Sequence, residues 1–184
     1  MIERGRSSAY SPEHMFEGLV LGVDPGTAAV GLAVVRRGEN GRGAVEWAST
    51  LRTPAGLAAA TRLRGLYLGV REAIVEHRPS VMAIERLMWG KNTESAMGVA
   101  RASGVIVLAA AEAGIPVEEY APLEVKMAVS GVGNASKEQV RRALALLLGP
   151  SAVPADPDAA DAVAVALCHL QQSRLRRLTR EAAR

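Results

Sequence analysis

The sequence predicts an α/β domain, one mixed five-stranded sheet with helices on its faces. Three observations carry that expectation. Three strand-like stretches follow one another with short links, so they form an antiparallel meander. Helical and strand-like stretches then alternate, which builds a mixed sheet covered by helices. At 184 residues and 49% hydrophobic content, the chain has the length and apolar mass for one packed domain, and not comfortably for two. Aromatic residues make up only 3%, so the core is built from Ala, Val, Leu and Ile. No internal repeat or interdomain linker interrupts it. The domain is expected over residues 18–172, between a loose leader (1–17) and a basic tail (173–184).

The elements follow in order. "GLVLGVD" (18–24) is a continuous apolar run, the pattern of a strand buried on both faces. "GLAVVRR" and "AVEWAST" are the next strands, joined through the turn-rich "GENGRG". Over 57–77, Leu63, Leu66, Tyr67, Val70 and Ile74 recur at three and four, an amphipathic helix stopped by Pro79. "VMAIE" (81–85) is a short buried strand. A long helix covers roughly 93–113, and Gly114 ends it by accepting the left-handed conformation. Its later half, "GVIVLAAAEAG", is apolar nearly all round, so it is buried within one subunit or lies at a subunit interface. "PVEEYAP" is the fifth strand, "LEVKMAV" a short helix and "SGVGNAS" a flexible loop. Ser136 with Gln139 forms a capping box for a helix whose core face is Val140, Ala143, Leu144 and Leu147. A last helix starts near "ADPDAAD", with Asp156 as its cap and Pro157 in its first turn.

Charge and cysteine content narrow the function classes. No apolar run reaches the roughly 18 residues that span a bilayer. The start, "MIERGRSSAYSPEHMFE", has no apolar segment of the secretory kind. Cys168 is the only cysteine, so no intrachain disulfide forms, and the expected compartment is the cytosol. Of the net charge of +3, the tail "SRLRRLTREAAR" supplies +4 from five Arg and one Glu. That tail suits a polyanion such as nucleic acid, or serves as a solubilising end.

Aspartate and lysine are scarce. The only Asp are 24, 156, 158 and 161, and the only Lys are 91, 126 and 137. Asp24 ends the first strand and Glu85 ends the fourth. If those strands pair in parallel, their ends lie side by side. Asp158 and Asp161, three apart on a helix, face the same way. Three elements thus deliver four carboxylates to one place. Crowded carboxylates repel and raise one another's pKa unless a cation neutralises them. All-oxygen donors point to Mg²⁺, with Mn²⁺ as a substitute. Zinc is not expected, since Cys168, His14, His77 and His169 show no ligand spacing. Two divalent ions roughly 3.5–4 Å apart can activate water and stabilise the leaving oxygen in phosphodiester hydrolysis. Taken one at a time, each acid has a plainer role: Asp24 in a turn, Glu85 in an ion pair with Arg86, the three late Asp at a helix N-terminus. The glycine-rich run after Asp24 is not a phosphate loop of the Walker type, because Leu32 stands where that loop needs Lys.

Four separated stretches, "LGVDPGTAAVGLAVV", "AIERLMWGKNTESAMGVARASGVIV", "EYAPLEVKMAVSGVGNASKEQV" and "DPDAADAVAVALCH", resemble the RuvC family of bacterial Holliday-junction resolvases. The likeness runs in order from about Leu21 to His169. It implies an RNase H-like fold, a homodimer and Mg²⁺-dependent nicking of four-way DNA junctions, alongside the RuvA–RuvB branch-migration complex. By motif, Asp24, Glu85, Asp158 and Asp161 stand at the catalytic, metal-binding carboxylates. Lys126 and Lys137 stand at lysines near the scissile region. Where the family commonly has an aromatic that stacks on junction bases, this chain has Met88, with Trp89 next to it. Either Trp89 takes over the stacking or Met88 wedges as an apolar side chain; a core role is the alternative for Trp89. Arg86, Lys91, Arg101, Lys126, Lys137, Arg141 and Arg142 are candidates for phosphate contact, or ordinary solvated charges. Two other readings share these features: a related nuclease acting on RNA or other DNA, and a non-catalytic junction-binding protein.

Overall fold

The computed structural model describes residues 18–38, 43–87 and 93–182. The leader, the turn at 39–42 between the second and third strands, and Met88, Trp89 and Lys91 lie outside the described residues.

Five strands form one sheet in the order β3-β2-β1-β4-β5. The strands are β1 (Val20–Asp24), β2 (Ala29–Arg37), β3 (Gly43–Arg52), β4 (Val81–Glu85) and β5 (Val117–Tyr120). β1, β2 and β3 pair antiparallel, as the expected meander, while β4 runs parallel to both β1 and β5. The helices are α1 (Ala59–His77), α2 (Thr93–Glu112), α3 (Pro122–Ser130), α4 (Lys137–Leu148) and α5 (Pro157–Ala182).

The central strands are apolar throughout because both faces are covered. Successive side chains point to opposite faces. Leu21, Val23, Met82 and Ile84 pack with Leu66, Val70 and Ile74 of α1 and Ile106 of α2. Val20, Ala33, Val81 and Ala83 pack on the other face with α3, α4 and the alanine-rich α5. That alanine content lets α5 lie almost against the sheet. A Cβ at Gly22 would sit 2.1 Å from the Ala162 carbonyl oxygen, and one at Gly31 would sit 1.9 Å from that of Asp158. Backbone on backbone leaves nothing to give way. Gly22→Ala is therefore expected to cost about 2 kcal/mol or more by forcing α5 off the sheet. A urea unfolding midpoint equal to that of the unsubstituted chain would contradict this packing.

Local signals place most boundaries. Gly114, at φ +71°, ends α2, and the Ser136–Gln139 capping box opens α4. Asp156 caps α5: its Oδ1 accepts from the amides of Asp158 (3.0 Å) and Ala159 (3.3 Å). α1 stops at His77, with Arg78 in the left-handed region just ahead of Pro79.

One expectation is revised, and one boundary gains detail. "SGVGNAS" is an anchored turn. Ser130 Oγ donates to the Lys126 carbonyl and accepts from the Val132 amide, and Ala135 is buried. The stretch 173–184 does not begin at a break in structure, since α5 runs without interruption to Ala182. Ser173 is buried, and its hydroxyl accepts from the Arg37 guanidinium at 3.3 Å.

The apolar surface of α2 is divided. Ala102, Ile106, Ala109 and Ala110 are buried, chiefly against α1. Met97 and Leu108 on the other side are 45% and 50% exposed. No helix among the described residues is long and apolar enough to cross a membrane.

Candidate active site

The parallel register of β1 and β4 runs Val20↔Val81 through Val23↔Ile84, so Asp24 and Glu85 emerge side by side at the same end of the sheet. Pro25 and Gly26 turn the chain away immediately after Asp24. Arg62 of α1 donates to the Thr27 carbonyl in this turn and, from Nε, to Thr53 Oγ1 at 2.9 Å. The arrangement holds the loop behind Asp24 against α1 and the end of β3.

α5 delivers the remaining acids. Its first turn lies over Gly31, the residue paired with Asp24 on β2. Asp161 lines a cleft together with Asp24, Glu85, Lys126 and Lys137. Pro122, Val125, Val140 and Ala164 form its apolar walls. Asp158 does not line that cleft, but its charge is felt at Asp24. Lys137 Nζ lies 2.9 Å from Asp161 Oδ2. That hydrogen bond, together with the charge behind it, holds the lysine above its ordinary pKa.

The electrostatics of the cleft favour a cation. Burial, then repulsion by Asp161 and Asp158, pushes Asp24 up to about 6, with Lys137 opposing. Burial, then repulsion by Asp24 and Asp161, pushes Glu85 up to about 7, with Lys126 and Lys137 opposing. Two strand-end carboxylates are held where their charged forms are disfavoured, and a cation would reverse that. The donor set is oxygen only, which fits a hard divalent ion. Among the described residues no three Asp, Glu, His or Cys side chains already stand as a ligand cluster. Asp161 is instead engaged with Lys137.

The other predicted residues separate by position. Arg101 is exposed on α2 and borders a small apolar pocket with Thr27, Arg62 and Gly98, away from the acids. Arg141 is exposed on α4, and Arg142 pairs with Glu138. Arg86 lies 3.8 Å from Glu124, so the ion pair once conceivable for Glu85 goes to another acid. Sequence reasoning missed Thr50, Arg52 and Arg62. No motif marks them; they reach the site's surroundings only through strand register and helix packing.

Residues 20–169 match the family described as crossover junction endodeoxyribonuclease RuvC. The chain is 47% identical over 165 residues to the enzyme of that name from Moorella thermoacetica, covering 90% of this chain and 98% of the relative. It is 47% identical over 149 residues to the one from Chloroflexus aurantiacus, covering 81% and 90%. Among solved structures, T. thermophilus RuvC in complex with Holliday junction substrate superposes with a TM-score of 0.79 at 33% identity, covering 86% of this chain and 96% of that one. The yeast mitochondrial Holliday junction resolvase Ydc2 shares the fold, with a TM-score of 0.63 at 15% identity over 84% and 78% of the two chains. Parallel strands that end on neighbouring acids, an acid-bearing helix laid across them, and a match over most of the length place the chain in the RuvC family of crossover junction endodeoxyribonucleases.

Proposed function

We propose that the chain resolves four-way DNA junctions by nicking opposed strands in a metal-dependent phosphodiester hydrolysis. The observation that carries this is the cleft in which Asp24, Glu85 and Asp161 meet Lys126 and Lys137. Asp24 and Glu85, with Asp158 and Asp161 from α5, are the residues that would hold divalent metal. Mg²⁺ is the favoured ion, Mn²⁺ a substitute, and two ions per site fit four carboxylates. Bound metal supplies an activated water and charge neutralisation at the leaving oxygen. Lys126 and Lys137 draw the scissile phosphate over the acids. Lys137 must exchange Asp161 for phosphate as the strand settles. The apolar walls limit water around the reacting phosphorus. The products are a 5′-phosphate and a 3′-hydroxyl, ends that a ligase can join.

The four-way junction has approximate two-fold symmetry, and a two-fold dimer matches it. The exposed side of α2, with Met97, Arg101, Gly104 and Leu108 at steps of four, three and four, supports a homodimer through that helix. Work alongside a RuvA–RuvB complex and a cytoplasmic location follow from the family reading. Stacking on junction bases by Met88 or Trp89 belongs to the same proposal, as does phosphate contact by Lys91, Arg101 and Arg141.

A sequencing-gel assay tests the reading. A mobile four-way junction, a linear duplex and an RNA–DNA hybrid are incubated with the chain in Mg²⁺ and in Mn²⁺. Symmetric nicks confined to the junction are expected. Cleavage of the hybrid or duplex instead would indicate a related nuclease. Junction binding at low salt, with no nick in either metal, would mean the acids are structural.

The basic stretch calls for charge removal and not truncation, because a cut at 173 removes a buried serine. Arg174, Arg176, Arg177 and Arg180 all changed to Gln are expected to weaken junction binding and flatten its dependence on salt. Each lost phosphate contact lowers the log–log slope by about 0.9. An unchanged slope would assign the stretch to solubility.

A further inference from the structure

One row of paired residues crosses the sheet at the candidate site. Asp24 on β1 pairs with Gly31 on β2, and Gly31 pairs with Thr50 on β3. Thr50 lies two strands, roughly 10 Å, from Asp24. Its hydroxyl donates to Asp156 Oδ1 at 2.6 Å, while Arg52 Nη2 donates to Asp156 Oδ2 at 2.5 Å. Oδ1 also caps the first turn of α5. One carboxylate thus ties an edge strand to the helix that carries Asp158. Between them, the same turn rests on Gly31 with no room for a Cβ.

Capping alone does not require this arrangement. Asn or Ser would cap α5 as well. Arg52 is 61% exposed, and ion pairs that open to solvent add little to stability. The second oxygen and the two β3 donors fix where the helix starts relative to the strand that carries Asp24.

We propose that Asp156, clamped by Thr50 and Arg52, is a positioning residue that sets the separation between Asp24 and the acids of α5. The inference rests on the functional reading above. Groups that orient metal-binding side chains are typically worth 10- to 100-fold in metal affinity or rate.

The test uses Thr50→Val, which keeps the β-branched shape and all charges but removes the hydroxyl, with Thr50→Ser as the conservative partner. Mn²⁺ alone is titrated by electron paramagnetic resonance. Single-turnover junction cleavage and junction affinity are measured on the same proteins. Thr50→Val is expected to bind Mn²⁺ about tenfold more weakly and to cleave about tenfold more slowly at saturating junction, with junction affinity unchanged. Thr50→Ser restores both. Arg52→Gln, at an exposed position, repeats the loss without threatening the fold. Thr50→Val with unaltered Mn²⁺ binding and rate would overturn the proposal, and so would an equal loss in Thr50→Ser. An unsubstituted chain that neither binds Mn²⁺ nor cleaves the junction would overturn the functional reading itself and this inference with it.

Discussion

Asp24→Asn should reduce junction nicking by about 10³-fold or more, since under the proposed function it removes a charged metal ligand worth several kcal/mol at the transition state. Asn keeps the size of the side chain and an acceptor oxygen, so the turn at Pro25 and Gly26 is preserved. Junction binding without divalent metal should be unchanged or tighter, because a negative charge has left the cleft proposed to receive the phosphate. The change should also relieve Glu85, whose raised pKa depends partly on Asp24. The variant is thus expected to be dead in cleavage and more stable at pH 8 without metal. A single-turnover rate equal to the unsubstituted chain's would remove Asp24 from the site.

The second large effect is a pH dependence of metal-free stability that runs opposite to ordinary acid denaturation. Asp24 and Glu85 have folded-state pKa values near 6 and 7, above the 3.8 and 4.5 of the free groups. Between those values the folded chain binds more protons than the unfolded one. Their contribution to stability is therefore greatest at low pH and is lost as pH rises through 6 and 7. From pH 5 to pH 8 these two groups remove on the order of 4 kcal/mol. Asp158 and Asp161 deepen the effect, while Lys126 and Lys137 oppose it. Urea unfolding in a chelator at pH 5, 6.5 and 8 should show a falling midpoint. Mg²⁺ at pH 8 should restore it, because a ligand that binds only the folded state stabilises by mass action. In Asp24→Asn the slope should be shallower. A midpoint that rises steadily to pH 8 in chelator, equally in both proteins, would mean the acids do not crowd one another. Cleavage should weaken toward pH 6 for the same reason, as protons compete with metal.

The contrast between sequence and structure follows the range of the forces involved. Strand runs such as "VLGVD" and "VMAIE" are legible because burial on both faces demands apolar residues at every position. The helices are legible where a cap, a glycine or a three-and-four apolar rhythm acts within a few residues. Asp24, Glu85, Asp158 and Asp161 stood out because each closes or opens such an element, and because Asp is scarce in this chain. The turn at "SGVGNAS" misled, since its composition is that of a loose loop and its anchors are the buried Ala135 and the Ser130 hydroxyl. Composition likewise does not mark where the last helix ends: α5 runs on into the basic stretch as far as Ala182.

The sequence by itself determined the order of the elements, the apolar character of the central strands and the four acids at element ends. All of these depend on neighbours within a turn or a strand. Only the tertiary structure decided that β4 lies parallel to β1, so that Glu85 stands beside Asp24. It alone engaged Asp161 with Lys137 and made Thr50, Arg52 and Asp156 a bridge over Gly31. Those contacts join residues as many as 106 apart in the chain, and they exist only once strand register and close backbone packing are fixed.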